Sequence, residues 1–129
     1  MSEPGEIRQQ IEIVEESYEY MLAYAAQGRA DEGAGPDGAQ IRTFLNQYSS
    51  AIESIAGSLD GLADSNPQAA AYFDGLKRES AVMDSVVKIL LARDNISSEV
   101  VDNANGLIAV RAYLTSLFFI DKAILPKDA

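Results

Sequence analysis

The chain contains no cysteine and no histidine. Without cysteine there can be neither a disulfide nor a thiolate metal site. Without histidine there is no phosphohistidine relay, no His-ligated haem, no His-bearing di-iron centre, no Ser-His-Asp triad and no ordinary zinc site. What remains for acid–base work is carboxylate, lysine and tyrosine, and no serine sits in a nucleophile-elbow context. The residues therefore point away from catalysis. No catalytic residue, metal or cofactor is expected.

Basic residues are also scarce. Ten Lys and Arg stand against 20 Asp and Glu, leaving a formal net charge of −10. Such a surface repels phosphate backbones and anionic lipid heads, so neither nucleic acid nor membrane is expected as a partner. The N-terminal "MSEPGEIRQQ" has no basic n-region or apolar h-region. The most apolar run, "AYLTSLFFI" at 112–120, falls far short of the ~20 residues needed to span a bilayer. A cytoplasmic protein is the expectation.

Proline is sparse and placed at helix ends. Between these breaks the apolar residues recur at helical spacing, with no sustained alternation of period two. Four helices follow, at about 4–27, 39–63, 67–91 and 98–124. A flexible Gly-rich loop occupies 28–38. Gly28 is a natural C′ residue, Asn66-Pro67 offers an N-cap followed by Pro at the first helical position, and Ser97 or Ser98 caps the fourth helix. Helices of similar length with short connections predict one all-α domain over 1–129, an antiparallel up-down-up-down four-helix bundle. Its core stripes run through Ile7, Val14, Tyr18, Met21 and Leu22; through Leu45, Tyr48, Ile52 and Leu59; through Tyr72, Phe73, Leu76, Met83 and Leu90; and through Val100, Leu107, Leu114 and Phe118.

Three motifs compete for attention. "GAGPDG", from Gly33 to Gly38, is a literal match to a dinucleotide fingerprint. That motif needs a strand before it, and Asp31, Glu32 and Asp37 would repel phosphate, so it reads as a linker. Asn95-Ile96-Ser97 spells a glycosylation sequon, which a chain without a secretory signal would not use. Arg111 falls on the expected core face of the fourth helix, where a charge is costly unless paired. Glu79 or Asp121 would be its partner in a register-fixing ion pair. The alternative is that Arg111 anchors an anionic ligand inside the bundle, with Tyr18, Tyr48 and Tyr72 lining the cavity.

Apolar residues are more numerous than one core stripe per helix requires. Ile13, Tyr20 and Tyr24 form a second line on the first helix, at about 240°, 220° and 260° from Ile7 for about 100° per residue, and well off its core. Val82 and Ile89 do so on the third, and Val101, Ile108 and Phe119 on the fourth. Extra apolar and aromatic lines of this kind mark association surfaces. The sequence thus predicts a non-enzymatic protein-interaction module, a small acidic helical regulator, adaptor or chaperone-like protein, acting as a homodimer through these eight residues.

Overall fold

A computed structural model describes residues 4–33 and 40–126. Among them the chain is all-helical, with no strand. Helix α1 spans Pro4–Ala26, α2 spans Gln40–Ser65 and α3 spans Ala70–Leu91. Then come α4, Ser98–Asn105, and α5, Ile108–Phe119, which runs into a single π turn at Ile120–Ile124. Residues 34–38 of the expected loop at 28–38, the greater part of "GAGPDG", lie outside the described residues.

The helix ends follow from local chemistry. Pro4 stands at the start of α1, where its missing N–H costs nothing. After α1, Gly28 takes φ of +64°, the left-handed conformation that a side chain resists. A one-turn 3₁₀ segment, Pro67–Ala69, precedes α3. Asn66 does not cap it, contrary to the sequence expectation. Its amide instead donates back to the Leu62 carbonyl at 2.9 Å, tying up the end of α2. Ser97 does cap α4, accepting from the Val100 amide at 3.3 Å.

One apolar core joins the helices. α1 packs against α2 and α4, α2 against α3, and α3 against α5. Val14, Met21, Leu45, Ile52, Ile55, Leu59, Phe73, Leu76 and Met83 are fully buried at its centre. Each such side chain removed from water stabilises the fold by about 1.5–3 kcal/mol. The stripes expected on the second and third helices account for most of this core.

The fourth expected helix is where the structure departs from the sequence reading. It is broken at Gly106-Leu107, and Leu107 is extended, with φ −67° and ψ 134°. The break resets the helical phase. Val101 and Ala104 are buried on α4, but on α5 the buried residues are Val110, Tyr113 and Leu117, followed by Ile120. An unbroken helix would carry the Val101 line on through Ile108 and Phe119. The π turn makes a second adjustment. The Leu125 amide bonds the Ile120 carbonyl five residues back, at 3.0 Å, so both residues of that five-residue step stay buried. Leu107 and Phe118, expected in the core, are exposed, as is Leu22 on α1.

Candidate interaction surface

The second line expected on α1 does not face outward. Tyr24 is fully buried. Its hydroxyl donates to the Ile96 carbonyl at 2.6 Å, and its own carbonyl accepts from Ser98 Oγ at 2.6 Å. Burial pushes the Tyr24 phenol above its ordinary pKa and keeps it a neutral donor. Tyr20 is half-buried and stacks on Phe44 of α2, with ring centroids 4.1 Å apart and planes 4° from parallel. Ile13 is half-buried against the core. The α1 part of the expected interface is therefore internal packing, and Tyr24 is corrected outright to a core residue.

Tyr24 belongs to a polar clasp that sequence spacing does not reveal. It joins the segment after α1 to the link between α3 and α4. The Arg29 carbonyl accepts from the Ser98 amide at 2.8 Å, and the Arg29 amide donates to Ser98 Oγ at 2.7 Å. Asn95 accepts from the Glu32 amide at 3.0 Å and donates to the Ala30 carbonyl at 2.8 Å, which gives the sequon asparagine a structural task. Glu32 accepts from the Ile96 amide at 2.7 Å and from Arg42 Nε at 2.7 Å. Arg42 also donates to the carbonyls of Leu91, at 2.9 Å, and Arg93, at 2.6 Å. The Arg42 guanidinium holds the Glu32 carboxyl below the usual carboxylate range, aided by the Ile96 amide and opposed by burial. Every group here is consumed by another part of the same chain.

Arg111 is likewise corrected. It is exposed on the outer side of α5, because the break rotates that helix away from the expected phase. Neither proposed partner is engaged with it. Asp121 accepts from Arg8 Nε at 2.6 Å, and Glu79 accepts from Ser116 Oγ at 3.2 Å. An exposed Arg111 cannot hold a ligand in the core. Of the three tyrosines grouped with it, only Tyr48 is fully buried, while Tyr72 donates to the Ser116 carbonyl at 3.1 Å. The buried tyrosine that the sequence reading missed is Tyr113. Desolvation raises the phenols of both Tyr48 and Tyr113, each buried without a hydrogen bond of ordinary geometry, and Ser80 beside Tyr113 offsets this only in part.

The third and fourth helices tell a different story. Val101 is buried and leaves the expected surface. Val82, Ile89, Ile108 and Phe119 stay on it, 50%, 66%, 82% and 54% exposed, and Leu107 joins them. They lie along α3 and α5, with Leu107 at the α4–α5 joint. Two open grooves mark this side. One, of about 510 Å³, runs between α3 and α5 and is lined by Tyr72, Gly75, Arg78, Glu79, Val82 and Ser116 among others. The other, of about 310 Å³, is bordered by Val86, Ile89, Arg93, Val100 and Leu107. Phe119 closes the far end, edge-on to Tyr72 with centroids 5.6 Å apart.

Charges on this side are mostly basic. At 100° per residue from Val82, the outer face of α3 carries Ala71, Gly75, Arg78, Val86 and Ile89, with Glu79 at its edge about 60° away in the α3–α5 groove and Arg93 just beyond the helix end. The outer face of α5 carries Ile108, Arg111, Thr115 and Phe119, with no acid. Among the described residues Arg78, Arg93 and Arg111 enter no ion pair, whereas Arg8, Arg42, Lys77 and Lys88 all do. No set of three Asp or Glu among the described residues is placed to hold a metal ion, and no helix is long and apolar enough to cross a membrane. No family model, curated protein or solved structure matches this chain.

Proposed function

We propose that the chain is a non-enzymatic protein-interaction module. In this reading it is an antiparallel up-down bundle whose fourth helix is split into α4 and α5, with the α3–α5 side as its working surface. The observation that carries the proposal is the alignment of Val82, Ile89, Ile108 and Phe119. They stay in water while the opposite faces of the same helices fill a closed core. Single exposed apolar residues are ordinary, but four on the outer faces of two packed helices, beside open grooves, are a usual mark of an association site. Cysteine and histidine, side chains often used as nucleophile and general base, are not in the sequence.

In the form expected from the sequence, a cytoplasmic homodimer, this strip of one copy meets the same strip of another. Light scattering after size exclusion, with the wild type beside a Val82→Asp/Ile108→Asp variant, tests the surface. The variant should keep its helical circular dichroism and lose any association that the wild type shows. An assembly that survives both substitutions would place the working surface elsewhere.

A further inference from the structure

The strip itself says what kind of partner it suits. We infer that the α3–α5 side receives an amphipathic helix from another protein, one whose apolar stripe is flanked by Asp and Glu. The inference rests on the interaction-module reading and adds the chemistry of the occupant.

Three observations carry it. The first is shape. The two grooves run along α3, one marked by Gly75 and the other by Ile89, 14 positions further on. That spacing is about 21 Å along a helix axis. A helix laid in the valley would reach both with apolar residues two heptads apart, as in helix-in-groove recognition. With no strand among the described residues, the structure presents no sheet edge to an extended peptide.

The second is charge. The chain has twice as many acids as bases, yet this side carries Arg78, Arg93 and Arg111 against one carboxylate, Glu79, which lines the α3–α5 groove and accepts from Ser116 Oγ at 3.2 Å. Elsewhere four of the cations are committed to ion pairs. Lys77 pairs with Asp60, and Lys88 with Asp84 at 2.8 Å. An arginine left without an ion pair beside an apolar groove is a docking point for carboxylates, since its planar fork binds them two bonds at a time.

The third concerns the competing occupant, a second copy of this chain. Two-fold pairing through the strip would bring one arginine-bearing face onto another, and like charges meeting across an interface oppose association. An acidic-flanked helix turns the same arginines from a cost into a contact.

The experiment uses the full chain and two synthetic, fluorescently labelled 22-residue helical peptides. Both carry Leu at i, i+3, i+7, i+10 and i+14. One is flanked by Glu and its twin by Lys. Anisotropy is read at 150 mM salt, where the Debye length is about 8 Å, so the overall negative charge acts weakly and the local face dominates. The Glu peptide should bind at least ten times more tightly than the Lys twin. Arg78→Glu/Arg111→Glu should reverse that order, and Val82→Asp/Ile108→Asp should abolish binding of both.

Equal binding of the twins, or preference for the Lys twin, overturns the acidic helix while leaving the strip as a binding surface. A wild-type dimer that Val82→Asp/Ile108→Asp dissociates gives the strip to a second copy, which also overturns this inference but keeps the interaction module. If neither peptide binds and the chain is a strict monomer, both readings fall. Circular dichroism of each variant separates lost binding from lost folding.

Discussion

The clasp around Tyr24 and the strip on α3 and α5 hold similar residue types and treat them in opposite ways. In the clasp, Arg42 spends its guanidinium on Glu32 and on two backbone carbonyls, and an aromatic side chain is wholly inside. On the strip, Arg78 and Arg111 have no ion pair, and Phe119 is more than half exposed. Exposure on the strip is therefore not the slack of a loosely packed molecule. The same chain closes its polar and aromatic groups tightly where the fold requires it. What stays open on α3 and α5 is open selectively.

Five substitutions test that contrast, and they rank by expected effect. Tyr24→Ala should be the most damaging, lowering stability by about 3–5 kcal/mol in urea titrations, because it opens a cavity and deletes the bond to Ile96. A loss under about 1 kcal/mol would show that the clasp is only peripheral.

Glu32→Gln should cost about 1–2 kcal/mol near neutral pH, since it weakens a charge-assisted pair with Arg42. It also carries a pH signature. The folded-state pKa of Glu32 lies below its ordinary value of 4.5. Its contribution is thus present above the unfolded pKa and disappears as pH falls through the folded one. The wild type should lose stability on acidification below about pH 5 more steeply than Glu32→Gln, in denaturation series run across that range. Parallel acid limbs would mean that Glu32 is not a stabilising carboxylate.

Val82→Asp and Ile108→Asp, by contrast, should each alter the stability of the isolated chain by no more than about 0.5 kcal/mol, as substitutions in water do. A large loss in a thermal melt of the monomer would erase the distinction between strip and core. The smallest effect belongs to Arg111→Met. A register-fixing buried pair would lose several kcal/mol on losing one partner, whereas an exposed arginine without an ion pair should leave stability within about 0.5 kcal/mol.

The helical class was legible because long amphipathic stripes speak clearly. Leu45, Tyr48, Ile52 and Leu59 are buried as their spacing requires. Phase on the last segment was misread for a reason that was in the sequence. Asn105-Gly106 is a turn dipeptide in the middle of an otherwise helical pattern. Restarting the count after it gives Val110, Tyr113, Leu117 and Ile120 at steps of three or four, all of them buried. The clasp was not legible in the same way. Tyr24 finds its partners 72 and 74 residues away, and no local periodicity encodes a contact of that range. Tyr20 and Tyr24 were read as one outward line because period alone separates faces of a helix. It does not say how many neighbours those faces have. α1 meets both α2 and α4, so two of its faces are inside.

Arg111 also bears on a structure the chain does not adopt. If α4 ran on without its break, the buried line of Val101 would continue into Ile108 and Phe119, both willing core residues, and the sequence would have two competing ways to pack. In that rival arrangement Arg111 turns toward the interior on the side of Ala104, about 80° from Val101, without a carboxylate to meet it. A guanidinium turned inward there without a partner costs that arrangement free energy, a cost the native one avoids. An exposed arginine without an ion pair in the native state thus weighs against a fold in which it would be turned inward.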